Sequence, residues 1–152
     1  MNKILVALIV AILAAGPTAA SEKTDVMGTI QRFMDAFNKG DMNSAAALCA
    51  DQTSIIDDFA PHEWHGVGAC SRWGKAYEAD AKKNEITDGV VTLGTPRHVE
   101  VTANRAYAVI PVDSYTYKVK GKPASETGSI LIVALRKGES GWRITGWAWA
   151  QG

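Results

Sequence analysis

Five side chains able to carry a proton or hold a metal fall within nine residues: Asp57, Asp58, His62, Glu63 and His65. Carboxylates and imidazoles at this density support two chemistries, general acid–base work and coordination of zinc or a related ion. Metal binding is the weaker reading, because His62 and His65 follow Pro61 in a predicted loop instead of sharing one helix face. Neither a metal nor a cofactor is expected. Asp57 is the catalytic candidate. It follows the short β-branched run Thr53 to Ile56, and a carboxylate held in an apolar enclosure has a raised pKa and can act as a base. The alternative is a local role, accepting hydrogen bonds from the N–H groups of the following turn. Asp58 is assigned to solvent or to that turn. His98 begins a later strand, and a register shift of one residue would reverse the face it occupies.

Five tryptophans and four tyrosines could build a binding surface. Trp147 and Trp149 stand two apart on a predicted strand and so share a face, with Gly146, Ala148 and Ala150 opposite. Tyr107, Val109, Asp113, Tyr115 and Tyr117 are expected on one side of another strand. Facing inward, such stripes line a pocket for a flat apolar ligand; facing outward, they form a subunit interface. Trp73 and Trp142 are expected in the core. Cys49 and Cys70 are the only cysteines. They form either a disulfide or two buried thiols, and a bridge closing about 20 residues would contribute about 3 kcal/mol.

These side chains need elements to hold them. Near the N-terminus, Lys3 precedes the apolar run Ile4 to Ala15, followed by small residues up to Ala20. This pattern predicts a signal peptide over residues 1–20 and export to the periplasm or the exterior. The apolar run has 12 residues, whereas a membrane span needs about 20; an uncleaved anchor is the alternative. The remaining domain, 21–152, loses only Lys3 from its charges, leaving 15 basic against 16 acidic side chains. That balance, without a basic cluster, argues against nucleic acid or an anionic membrane surface as partner.

Val26, Ile30, Phe33, Met34 and Phe37 recur near every 3.6 residues and predict a helix over 24–38, with Ser21, Thr24 or Asp25 as N-cap and Gly40 as its stop. Asp41 caps a second short helix ending near Cys49. Thr53–Ile56 is a strand, His62–Gly66 a loop, and Val67–Lys83 a third helix. Period-two runs then predict strands over 86–93, 98–102, 106–119, 127–135 and 142–150, with Gly121-Lys122-Pro123 as a turn. Three helices followed by hairpin-linked strands give an α+β fold, with helices packed on one face of a strongly curved antiparallel sheet.

The ordered set Phe37-Asn38-Lys39-Gly40-Asp41, Ala50-Asp51, Asp57, Trp64-His65-Gly66 and Trp142-Arg143-Ile144 with Trp147-Ala148-Trp149 resembles the nuclear transport factor 2-like (SnoaL-like) superfamily. The resemblance implies a cone-shaped domain, and it places Asp57 on the base position of ketosteroid isomerase-like members. Those members add a helix-one tyrosine and a second, protonated carboxyl to hold the enolate oxygen. Here the tyrosine position is Phe33, and the second carboxyl would fall in the apolar Ile132-Val133-Ala134. Losing one such donor lowers kcat by about 10²–10³. Tyr77, Tyr107 or Tyr115 would have to supply a donor instead. Three functions follow from these residues: an exported homodimeric domain holding a small apolar or aromatic molecule against Asp57, Trp64, Tyr77, His98, Tyr115 and Trp147; a cofactor-independent lyase or isomerase using Asp57 as base; or a non-catalytic protein-interaction module.

Overall fold

Helix α1 (Ala19–Asn38) opens the computed structural model, which describes residues 18–152. Residues 1–17 of the expected signal peptide lie outside the described residues. The N-cap is Thr18, whose side chain accepts the Ser21 N–H at 3.4 Å, and not Ser21, Thr24 or Asp25. Ala19 and Ala20 are strong helix formers and extend the first turn. Val26, Ile30, Phe33, Met34 and Phe37 are all buried, as their spacing predicts. Gly40 leaves the helix in the left-handed region, at φ 71°. Asp41 then caps α2 (Met42–Ala46) by accepting the Ser44 N–H at 3.0 Å.

Strand β1 (Cys49–Ile56) turns through Asp57–His62 into β2 (Glu63–Val67), pairing Ile55 with Trp64. The predicted loop over His62–Gly66 is therefore mostly strand. Only Trp64 of the β2 residues is buried, so almost no alternation marks it in the sequence. Helix α3 (Ala69–Lys83) starts two residues later than predicted, because Val67 belongs to β2 and Gly68 turns the chain. Cys49 and Cys70 are bonded, with Cα atoms 6.5 Å apart, which ties the start of β1 to the first turn of α3.

Six strands complete the chain: β3 (Ile86–Leu93), β4 (His98–Thr102), β5 (Arg105–Val119), β6 (Lys122–Glu126), β7 (Ile130–Gly138) and β8 (Gly141–Ala150). Two residues of the predicted turn Gly121-Lys122-Pro123, Lys122 and Pro123, belong to β6, since β6 is an edge strand and an edge tolerates proline. The sheet order is β2-β1-β8-β7-β5-β3, with β4 and β6 also on β5. Pairing is antiparallel except between β1 and β8, which run parallel. No hairpin links those two strands, so no turn sets their relative direction. Helix α1 packs on β3, β4 and β8, and α3 on β1, β2 and β3.

Strand β5 changes partners partway along. Arg105–Pro111 lies between β4 and β7, whereas the segment from Val112 to Val119 lies between β3 and β6. Two bulges adjust what the strands present inward. On β5, Thr92 pairs with Ser114 and Leu93 with Val112, leaving Asp113 extra. On β8, Ala134 pairs with Gly146 and Leu135 with Ile144, leaving Thr145 extra. One inserted residue reverses the side-chain alternation beyond it. Ala106, Ala108, Ile110 and Val112 are buried before the first bulge, and Tyr115 and Tyr117 take over the inward face after it. Likewise, Trp142 and Ile144 give way to Trp147 and Trp149. Tyr107, expected on the same side as Tyr115 and Tyr117, is instead 44% exposed.

Candidate functional site

Between the helices and the sheet lies a cavity of about 160 Å³. Helix α1 contributes Phe33, Met34 and Phe37, and α3 contributes Trp73 and Tyr77, each set one helical turn apart. The strand residues turned inward by the bulges, Tyr115, Tyr117, Trp147 and Trp149, close the opposite wall. Trp73 meets Trp147 edge-on, ring centroids 4.8 Å apart, and Phe37 lies 4.9 Å from Tyr77. Such tilted and edge contacts suit the ring quadrupoles and hold the walls in place. Trp147 is 7% exposed and its indole N–H has no acceptor in the protein.

Asp57 sits where β1 delivers it, on the turn into β2, and lines the cavity. Its Oδ2 accepts the Trp73 indole N–H at 2.7 Å, and its Oδ1 accepts the Asp58 backbone N–H at 2.8 Å. The second bond is the local turn role expected as the alternative, and the first reaches across to α3. Burial pushes the Asp57 carboxyl up to about 7, against the opposing pull of those two donors; the neighbouring Asp58 charge adds to the rise. Desolvation outweighs both hydrogen bonds. At neutral pH the group is divided between acid and base forms, which suits proton transfer.

Tyr77 and Tyr115 join hydroxyl to hydroxyl at 2.7 Å. Burial raises both phenols above their usual range, and the Asp57 charge contributes to the rise at Tyr77. The pair therefore stays protonated and can donate. Gly89 makes room for it, since a Cβ there would lie 3.1 Å from each hydroxyl. At the outer end, Tyr117 donates to Glu126 at 2.7 Å, and that bond, with lesser help from burial, pushes its phenol up to about 12. Gln151 donates to both Asp58 and Glu126.

Of the residues proposed from sequence, Asp57, Tyr77, Tyr115 and Trp147 converge on this cavity. Two do not. Trp64 is buried behind the wall, its ring 5.1 Å from that of Phe59, which itself lines the cavity. His98 lies on the exposed side of β4, beside Glu100 and 6.0 Å from the Tyr107 ring. Its strand pairs with the half of β5 that precedes the bulge. His65 is likewise exposed and sits beside Glu63. Trp73, expected only as core, faces the cavity; Tyr117 joins it as a member of the predicted β5 stripe, and Phe59 and Glu126 join it without having been singled out by sequence. The i, i+4 aromatic pairs Phe33/Phe37 and Trp73/Tyr77 are the available signal for a shared aromatic wall.

A family model described as the SnoaL-like domain matches residues 26–148. The chain belongs to this family. An NTF2-like superfamily protein from Salmonella enterica is similar in structure, with TM-score 0.74 and 18% identity over 89% of this chain and 94% of that one. An NTF2-like protein with a cystatin-like fold from Novosphingobium aromaticivorans gives TM-score 0.69 and 18% identity, covering 87% and 82%. A domain of unknown function with a cystatin-like fold from Nostoc punctiforme gives 0.66 and 16%, covering 89% and 80%. At these identities the likeness shows the fold alone. No curated protein matches the chain. In this SnoaL-like domain Phe33 lines the cavity without a polar group, and the β7 segment offers only apolar side chains there. Tyrosine hydroxyls enter instead from α3 and β5.

Proposed function

We propose that this SnoaL-like domain is exported and binds a small, flat, largely apolar molecule in its cone. The observation that carries the reading is the cavity wall, in which nine of 17 lining residues are aromatic and Asp57 and the Tyr77–Tyr115 pair supply the polar contacts. A dry cavity of about 150 Å³ holds a benzene ring, so the ligand is about one ring with a short substituent. Export rests on the N-terminal pattern and on the disulfide, a bond suited to an oxidising compartment. Homodimerisation through the sheet is supported by the exposed Tyr107 on β5.

Trp73, Trp147 and Trp149 report on occupancy directly. Titrating single-ring ligands while exciting tryptophan should give a saturable change in emission. No saturable response to any such ligand would overturn the reading.

A second reading is a cofactor-independent lyase or isomerase, favoured by a carboxyl that titrates near neutrality beside two tyrosine hydroxyls. Asp57 would take a proton from carbon next to a carbonyl, and a tyrosine O–H would hold the oxygen on which charge develops. Asp57→Asn should then abolish turnover and retain ligand binding. An unchanged rate removes Asp57 from the mechanism.

A further inference from the structure

The cavity is acidic as well as aromatic. Asp57, Asp58, Asp80 and Glu126 all line it, and none of the 17 lining residues is Lys, Arg or His. Composition does not explain this, because the whole chain carries 16 basic and 16 acidic side chains. The four carboxylates come from three separate places: the β1–β2 turn, α3 and β6. Among the described residues, the ion pairs engage Glu22, Glu63, Glu85, Asp88 and Glu100, and none of these four. Their hydrogen-bond donors are uncharged: Trp73 for Asp57, Gln151 for Asp58, and Tyr117 with Gln151 for Glu126. Among the described residues, no cation forms an ion pair with this negative charge, which lies inside low-dielectric walls that concentrate its field. The same walls present the π faces that attract organic cations.

We infer that the ligand is a monocation, a one-ring organic amine or ammonium whose ring lies among Trp73, Trp147 and Trp149 and whose nitrogen faces the Asp58–Gln151–Glu126 rim. This rests on the pocket reading above and narrows its ligand class. Asp58 and Gln151 are both exposed, so the rim is the wet end of the cavity. An ammonium there keeps part of its hydration, and the ring displaces water from the apolar interior. The upward shift of the Tyr117 phenol, to which Glu126 and Asp58 both contribute, is the local sign of the same field.

Three one-ring probes of similar size test the charge: 2-phenylethylamine, its isostere 2-phenylethanol, and phenylacetate, titrated by tryptophan emission and calorimetry at pH 8. The amine should bind about fivefold more tightly than the alcohol, the upper scale of an exposed ion pair, and the carboxylate more weakly than either. Raising salt from low to high should weaken the amine alone. Asp58→Asn and Glu126→Gln should each narrow the amine-to-alcohol ratio. Alcohol or carboxylate binding as tightly as the amine overturns the inference and leaves the pocket reading intact. Failure of all three probes to bind overturns both.

Discussion

Asp57→Asn offers a test of the site that does not depend on finding a ligand. A carboxyl raised from 3.8 to about 7 corresponds to about 4 kcal/mol of preference for the protonated form in the folded state. Asp57 is half-buried, and solvent screening lowers the usable figure to about 2–4 kcal/mol. The sign follows from proton binding. Below about pH 4 the carboxyl is protonated in both states, and folding carries no penalty. Between about pH 4 and 7 the unfolded chain releases its proton and the folded chain keeps it, so stability falls as pH rises. Above about pH 7 the loss is complete. The Asp57→Asn side chain never ionises and escapes this fall, and its amide oxygen can still accept the Trp73 N–H. Glu22 and Asp41 are lowered by their hydrogen-bond partners, so they act in the opposite sense, losing stability as pH falls. Wild type and variant share those groups, and their effect cancels in the difference. Thermal melts of both proteins from pH 4 to 8.5 supply the measurement. At about 3–5 °C per kcal/mol for a domain of this size, the melting temperature of the variant should gain about 6–20 °C on that of the wild type across the range. A gap that stays constant with pH would show that burial does not raise the Asp57 carboxyl, and the desolvation argument would fail.

Two further outcomes test how the cone is held. Reducing the Cys49–Cys70 bond, or replacing both residues with Ser, should lower stability by about 3 kcal/mol in the chain-entropy model, read from urea midpoints with and without reductant. Gly146→Ala should destabilise by about 1–3 kcal/mol, because its Cβ would come within 3.0 Å of the Ser54 carbonyl oxygen beside the β8 bulge. If that bulge sets the inward face, the variant should also disturb tryptophan emission from the cavity; an unchanged midpoint and spectrum would refute the role given to it.

Much of the architecture is legible in the sequence because local patterns and tertiary packing agree. The α1 stripe, the Gly40 stop and the Asp41 cap are each set by neighbouring residues, and β3 and β4 have the predicted bounds. Strand β2 is hidden because four of its five side chains are not buried, so its pairing with β1 leaves almost no pattern in the sequence. The parallel β1–β8 pair involves strands about 90 residues apart, with Ser54 beside Gly146, and no local signal encodes it. A Cβ on Gly146 would come within 3.0 Å of the Ser54 carbonyl oxygen, so the small residue opposite the tryptophans makes room for a neighbouring strand.

The site divides along the same line. Sequence alone identified Asp57 as the strand-end carboxylate and named Tyr77, Tyr115 and Trp147 as candidates, because residue type and turn position are local properties. Tertiary structure decided which aromatics share the cavity. Alternation along β5 groups Tyr107 with Tyr115, and only the extra residue at Asp113 separates them, through a pairing with β3 that the β5 sequence does not contain. The same holds for Trp142 and Trp147 around Thr145. It also placed the Asp57 carboxyl against Trp73 inside apolar walls, and desolvation by atoms distant in the chain is what moves its proton affinity to neutrality.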